Sequence, residues 1–362
     1  MRKFLEWPSI EQFRHVVKEV RMRAQYVGTD EEGNKIIDRN AVLPKIKFTG
    51  TVKIHGTNAG IGYDPKTGEI WAQSRSQILG SGNTNFGFWD YVEENKDALK
   101  QIFDDQLMFI NDSLVIERIY FFGEWCGPNI QKGVAVSYIP NKSFVLFGIR
   151  VVLEDGDVYS LPIQFVEMLF LDASDREFAN AINFYNIFQF GKYEIEIDFE
   201  NPEAVQNELV RLTEEVEANC PVGKFFGIKE NTVGEGIVWS ANRSESPDNL
   251  KFFVFKVKGD KHTPTKVTKL ASVDVEKAKS IEDFVDRTVT ENRLRQGLET
   301  LRRDGIVTDM KATGDFVKWV SGDILKEESD MLEASGLTMK DVGSLLSTRA
   351  RKWFHTFGIE AS

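Results

Sequence analysis

Apolar and polar residues alternate along much of the first 260 residues, in runs typical of half-buried β-strands. In residues 45–54, isoleucine, phenylalanine and valine alternate with lysine and threonine, which predicts a strand with one buried face. Residues 64–68 (Asp-Pro-Lys-Thr-Gly) separate two further runs and predict a hairpin turn. Other predicted strands cover residues 114–122, 143–153, 158–161, 236–241 and 251–257.

Helical spacing of apolar residues marks the two ends of the chain and one interruption between the strands. A first helix is predicted from Ile10 to about Arg21, with Ser9 and Gln12 as a capping box. A second is predicted near residues 203–218. Beyond residue 260, helices are predicted at 281–301, 315–328 and 339–354. We therefore expect an α+β domain over residues 1–260, built from antiparallel sheets with flanking helices, and a small all-α domain over residues 261–362.

Composition narrows the class of protein. The chain has 362 residues, 41% hydrophobic and 28% charged, which excludes a largely disordered chain. No apolar run approaches the roughly 18 residues of a membrane span, and the N-terminus does not resemble a signal peptide. The two cysteines exclude a disulfide framework and favour the cytoplasm. The net charge of −11 lies within residues 1–260, yet a local basic groove could still bind nucleic acid.

Lys53 is the most informative candidate for chemistry. It lies on the polar face of its predicted strand, and Gly56 allows a ligand to approach the backbone. Lys256 and Lys258 are two residues apart on one predicted strand, so both point to one face. The polar turn at residues 242–249 could bring Glu235 to them. Taken alone, these lysines could equally be solvated surface residues.

Five segments in order resemble motifs I, III, IIIa, IV and V of the covalent nucleotidyltransferases, which include polynucleotide ligases and capping enzymes. They are residues 53–56 (Lys-Ile-His-Gly), 121–125 (Phe-Phe-Gly-Glu-Trp), 144–148 (Phe-Val-Leu-Phe-Gly), 235–239 (Glu-Gly-Ile-Val-Trp) and 255–259 (Phe-Lys-Val-Lys-Gly). The histidine in the first motif, followed by Thr57-Asn58, is similar to the RNA ligase 2 family of phage RNA-repair and RNA-editing ligases. The resemblance covers about residues 45–260. It departs at Val52, where that family often has glutamate.

The resemblance implies a role for each matching residue. Lys53 would be the adenylylated nucleophile, Glu235 would position a divalent metal, and Lys256 and Lys258 would bind the α-phosphate. For the nucleotide, Glu124 would bind the ribose hydroxyls and Phe147 would stack on adenine. At the RNA end, Asn58 would make a contact, Arg75 would bind the 5′-phosphate or else the ribose, and His55 would orient the incoming end or else the nucleotide phosphate. Phe147 could also be a plain core residue, because its neighbours are apolar.

The nucleophile must be a neutral amine. We expect desolvation and the cations Lys256, Lys258 and Arg75 to lower the pKa of Lys53 toward that state.

The implied activity is that of an ATP-dependent RNA ligase using Mg²⁺ or Mn²⁺. Such an enzyme seals 3′-OH and 5′-phosphate RNA ends through a lysyl-AMP intermediate, here at nicks in duplex RNA and as a monomer. A DNA ligase or a GTP-dependent capping enzyme would share the lysine chemistry. Those classes usually carry aspartate where His55 stands and an oligonucleotide-binding barrel after the last motif, whereas the helical pattern after Asp260 favours an RNA ligase. A non-catalytic protein that binds RNA ends is the remaining alternative.

Overall fold

The computed structural model describes residues 2–110, 115–170, 172–242, 253–263, 270–271 and 281–359. The predicted turn after Asn242 and the first residues of the predicted strands at 114 and 251 lie outside these ranges. The chain divides into two compact units. Unit 1 comprises Met1–Glu11, Lys18–Asn201 and Asn207–Gly259, and unit 2 comprises Gln12–Val17, Pro202–Gln206 and Asp260–Ser362.

Two sheets and a hairpin account for the strands. The strands are β1 (Glu11–Gln12), β2 (Tyr26–Thr29), β3 (Lys35–Ile37), β4 (Lys45–Lys53), β5 (Thr57–Asp64), β6 (Glu69–Ser74), β7 (Ile116–Cys126), β8 (Ser143–Leu153), β9 (Val158–Ser160), β10 (Phe184–Asn186), β11 (Tyr193–Asp198), β12 (Gly236–Ala241) and β13 (Val254–Lys258). A five-stranded sheet has the order β1-β13-β12-β4-β11, a six-stranded sheet has the order β10-β8-β7-β5-β6 with β9 beside β8, and β2 pairs with β3. Pairing is parallel between β10 and β8 and antiparallel in the pairs β4–β11, β4–β12, β12–β13, β2–β3, β5–β6, β5–β7, β7–β8 and β8–β9.

The alternation in β4 produces its two faces as predicted. Ile46, Phe48 and Val52 are buried and share their face with apolar residues of β12 and β13. Gly50 lies under the ring of Trp239, where a Cβ atom would come within 2.8 Å of the indole. The opposite face begins with two exposed lysines, continues with the buried Thr49 and Thr51, and ends at Lys53, so the predicted single buried face holds only for the first part of β4. The predicted hairpin is also confirmed, because β5 and β6 pair up to Asp64 and Glu69.

Helices flank the sheets and fill the C-terminal region. They are α1 (Phe13–Gln25), α2 (Phe88–Glu94), α3 (Lys96–Phe109), α4 (Ile163–Met168), α5 (Ala173–Ala181), α6 (Gln206–Ala218), α7 (Pro221–Phe225), α8 (Ile281–Thr288), α9 (Glu291–Arg303), α10 (Thr313–Ala334) and α11 (Met339–Trp353). The first predicted helix exists but starts at Phe13, so the predicted capping box is wrong. Ser9 instead accepts a hydrogen bond from Arg75 at 3.1 Å. The helix predicted at 281–301 is two helices.

Between residues 281 and 359, unit 2 consists of the helices α8 to α11 and their short connections, with a π-helical turn at Phe354–Gly358. Its core includes the stacked rings of Phe316 and Phe354, whose centroids are 4.7 Å apart. A buried ion network also lies within it, because Glu328 pairs with Arg14 at 2.9 Å and with Arg293 at 3.1 Å. The predicted α+β class with a helical C-terminal region is therefore confirmed. Among the described helices, none has the length and apolar character needed to cross a membrane.

Candidate active site

Strand register places two of the motif lysines in one row across the five-stranded sheet. Lys53, the last residue of β4, is paired with Gly236 of β12, which is paired in turn with Lys258 of β13. Residues paired across antiparallel strands project from the same face of the sheet. Gly236 has a positive φ of 149°, and a Cβ atom there would lie 2.2 Å from the carbonyl oxygen of Val257. Only glycine therefore fits between the two lysines without displacing the strand.

Glu235 joins three motif side chains into one cluster. Its Oε2 accepts a hydrogen bond from the Lys53 Nζ at 2.8 Å and lies 3.3 Å from the Nδ1 of His55. Its Oε1 lies 3.0 Å from the Nζ of Lys258. The Glu235 side chain is only 3% exposed. A buried carboxylate needs such partners, since an unpaired charge in the interior is costly.

Opposite charges determine the protonation of this cluster. Burial alone would lower the pKa of Lys53, but Glu235 and Glu124 outweigh it, and the pKa is raised. Burial likewise favours a high pKa for Glu235, yet Lys53, Lys258 and His55 hold that pKa well below its usual range. The charge of Arg75 lowers the pKa of Lys53, as expected, but by less than the two carboxylates raise it. The expectation that the pKa of Lys53 is lowered is therefore wrong for this state, in which an ammonium faces a carboxylate.

Glu124 fixes the turn that follows β4. Its Oε1 accepts a hydrogen bond from the backbone N–H of Gly56 at 2.9 Å, and Gln131 donates to the carbonyl oxygen of Gly56 at 3.3 Å. A Cβ atom on Gly56 would lie 2.4 Å from the backbone oxygen of Trp125, so the turn requires glycine. Burial raises the pKa of Glu124, and the charge of Lys53 only partly opposes this. Nothing in the sequence around Gln131 indicated its contact.

Three further predicted residues are placed by the strands that carry them. Asn58 of β5 is paired with Glu124 of β7, so both project from one face of the six-stranded sheet. Arg75 follows the last residue of β6, and its positive charge acts on Lys53. Lys256 lies one row beyond Lys258 on the same face, in register with Val238. Lys256 therefore shares a sheet face with Lys258, and Asn58 shares one with Glu124, whose charge acts on Lys53.

Phe147 occupies a β-bulge in β8. The register with β7 runs from Phe122 opposite Gly148 to Gly123 opposite Leu146, which leaves Phe147 as the extra residue. Its ring is partly buried and meets Trp7 edge-on, with 5.3 Å between centroids and 65° between planes. Sequence reasoning did not single out Trp7, which lies before the first helix outside every motif.

The carboxylates near Lys53 suit a hydrated divalent cation better than a protein cage. Within the described ranges no group of three or more histidine, cysteine, aspartate or glutamate side chains could hold a metal ion. Mg²⁺ usually keeps several waters and binds through one or two carboxylates and the phosphates of a substrate. Glu235, whose carboxylate contacts Lys53 at 2.8 Å, is such a carboxylate. The residues present therefore fit the metal expected from the sequence.

Comparison with known proteins identifies the family. No curated protein sequence matches the chain. Similar solved structures include RNA ligases of Naegleria gruberi. A lysine-to-alanine mutant with ATP and Mn has 15% identity, covers 72% of this chain and 58% of that chain, and has a TM-score of 0.43. A lysine-to-methionine mutant with AMP and Mn has 16% identity, and the match covers 72% of this chain and 57% of that chain with a TM-score of 0.43. This chain therefore spans less than two thirds of their length.

The family model described as RNA ligase matches residues 46–307, which is well over half of the chain. The matched range includes all five motif segments, from Lys53 to Lys258. On this match, the chain belongs to the RNA ligase family.

Proposed function

We propose that this protein is an ATP-dependent RNA ligase that seals 3′-OH and 5′-phosphate ends at nicks in duplex RNA through a lysyl-AMP intermediate on Lys53. The observation that carries the proposal is the buried cluster in which Glu235 contacts Lys53, His55 and Lys258. A potential nucleophile is thereby placed beside cationic groups that suit a triphosphate. The cluster lies within the range matched by the RNA ligase family.

In the first step, the Nζ of Lys53 attacks the α-phosphate of ATP, a P–N bond forms, and pyrophosphate leaves with the electrons of the broken P–O bond. The ammonium must first release a proton to solvent, because the lone pair of the neutral amine forms the new bond. Glu235 opposes that loss in the resting state by raising the pKa of Lys53. A divalent metal near Glu235, when bound, would supply positive charge that offsets this carboxylate. Lys258 and Lys256 would stabilise the charge on the phosphates.

In the later steps, AMP passes to the RNA 5′-phosphate, and a 3′-OH then displaces AMP to form the phosphodiester. Asn58 and Arg75 would bind the RNA end near the face that carries Glu124. Glu124 would bind the ribose through its carboxylate, and the partly buried Phe147 would stack on adenine. His55 would orient the phosphate, since it shares Glu235 with the nucleophile.

Further parts of the proposal concern the whole chain. Residues 1–260 would carry nucleotidyl transfer and residues 261–362 would form a helical domain of a monomeric enzyme. Cys126 and Cys220 are both buried and without a disulfide, which supports a reducing compartment such as the cytoplasm.

The first test is formation of a covalent nucleotide adduct. The protein is incubated with ATP or GTP and Mg²⁺, and its intact mass is measured. We expect one AMP on the wild type and on Lys47→Ala, and none on Lys53→Ala. Lys47 is a matched control because it is an exposed lysine on the same face of β4. A GMP adduct would indicate a capping enzyme instead, and no adduct from either nucleotide would favour a non-catalytic RNA-binding protein.

The second test concerns the substrate. Nicked duplexes of RNA, of DNA and of RNA–DNA hybrids are supplied to the adenylylated protein, and sealed product is measured by gel electrophoresis. We expect the fastest sealing at RNA nicks. Faster sealing of DNA nicks would contradict the assignment of RNA as the substrate without affecting the assignment of Lys53.

A further inference from the structure

The N-terminal segment, residues 2–9, is fastened along the six-stranded sheet by backbone hydrogen bonds. Leu5 donates its N–H to Gln73 at 3.3 Å and accepts from the Gln73 amide at 2.6 Å. The hydroxyl of Tyr120 donates to the carbonyl oxygen of Lys3 at 3.0 Å, and Arg150 donates to that of Glu6 at 2.5 Å. Because these bonds use the backbone of the segment, they fix its path over the sheet.

Trp7 lies on the face of the sheet that carries Glu124. Phe122 and Glu124 are two residues apart on β7 and so project from one face. The indole of Trp7 packs on Phe122 with 5.0 Å between ring centroids. Gly148 makes this approach possible, because a Cβ atom there would lie 2.2 Å from the indole. The segment thus places a large aromatic ring beside proposed nucleotide-binding residues.

The same indole restrains the ring of Phe147. Phe147 is the unpaired residue of a bulge, so the ladder of β7 and β8 does not fix its side chain as it would in a regular strand. The edge-on contact with Trp7 is a favoured geometry for two aromatic rings. The segment also reaches Arg75, whose guanidinium donates to the hydroxyl of Ser9 at 3.1 Å. Two proposed nucleotide-binding residues therefore contact this one segment.

We infer that Trp7 is a positioning residue for nucleobase binding, which holds the Phe147 ring in the orientation that stacks on the adenine of ATP. The inference rests on the proposed function, because the stacking role of Phe147 belongs to it. It extends the nucleotide site to a segment that lies outside the five motifs and before the range matched by the family.

The test separates binding of the base from binding of the phosphates. In a Lys53→Ala background, which cannot form the adduct, dissociation constants for ATP and for inorganic tripolyphosphate are measured by calorimetry. We expect Trp7→Ala to weaken ATP binding by about 3- to 10-fold, the worth of one aromatic pair. Tripolyphosphate has no ring, so its binding should change by less than about twofold. Trp7→Phe should restore most of the ATP affinity.

Phe4→Ala is the matched control, because Phe4 is an aromatic residue of the same segment that is 39% exposed. It should leave both constants unchanged. If Trp7→Ala does not fold, Trp7→Leu keeps the apolar contact with Phe122 but removes the aromatic edge. Unchanged ATP binding, or an equal loss for ATP and tripolyphosphate, would overturn the inference alone. A parent protein that binds neither compound would overturn the proposed function as well.

Discussion

Replacing Glu235 by glutamine should make the amine of Lys53 more reactive in the resting protein. The carboxylate oxygen lies 2.8 Å from the Nζ of Lys53 and holds it as an ammonium. Two unit charges 4 Å apart attract by about 4 kcal/mol at an effective dielectric constant of about 20. Lys258 and His55 share this carboxylate, and the Lys53 side chain is 20% exposed, so we take about half of that energy, about 2 kcal/mol, as lost. This corresponds to roughly 30-fold more neutral amine at a given pH.

The assay is competitive acetylation with acetic anhydride, read by mass spectrometry after digestion with a protease that does not cut at lysine. The exposed Lys47 in the same sample is the reference. We expect the rate for Lys53 relative to Lys47 to rise by roughly 30-fold in Glu235→Gln, since only the neutral amine reacts. Glu230→Gln, at an exposed position of the same unit, should leave the ratio unchanged. A ratio within about twofold of the wild type in a folded Glu235→Gln would refute the electrostatic argument.

Three further predictions concern stability. Gly236→Ala should lower the free energy of unfolding by about 2–4 kcal/mol in chemical denaturation, because the methyl group meets backbone and φ is positive. Gly82→Ala, the control, should leave the free energy of unfolding unchanged, because nothing lies within 4 Å of the position of its Cβ atom. Glu328→Gln should cost about 1–3 kcal/mol, measured by denaturant unfolding, since Arg14 and Arg293 each lose one of two carboxylate partners while Asp330 and Asp323 remain. Burial would raise the pKa of Asp330, but His15 and Arg14 hold that pKa far below its usual range. The ionised carboxylate should therefore stabilise the protein above about pH 4, and this contribution should be lost as pH falls. Asp330→Asn should flatten the pH dependence of the denaturant midpoint.

The sequence predicted the framework of the site because strand alternation has a fixed period. Once β4 and β13 are recognised as strands, Lys53 and Lys258 must lie on their polar faces. Order of motifs then suggested that Glu235 belongs with them, and the contacts of 2.8 and 3.0 Å bring these side chains together. These are consequences of the local pattern and of two antiparallel pairings, β4 with β12 and β12 with β13.

The missed features depend on contacts between distant parts of the chain. Glu124 and Gln131 meet at Gly56 from a sequence separation of about 70 residues, and no local pattern encodes that meeting. The helices α2 and α3 were overlooked for another reason. Their apolar residues do have helical spacing, with Phe88, Tyr91 and Val92 buried, but they follow a region dominated by strand alternation. The helical signal is present there, but it is short and stands between strands, and no element was predicted over residues 88–109.

The protonation of Lys53 has a consequence for the order of events in the proposed reaction. Counting the cations Lys256, Lys258 and Arg75 suggested a neutral amine, yet the two carboxylates decide the outcome because Glu235 makes direct contact. Bringing the anionic phosphates of ATP beside Lys53 would favour the ammonium further. In the proposed reaction, loss of the proton from Lys53 would need nearby positive charge that offsets Glu235 and the phosphates, and a divalent cation that bound with the nucleotide would supply it. Without that charge, the contact between Lys53 and Glu235 would keep the amine protonated, and so unreactive, in the resting protein.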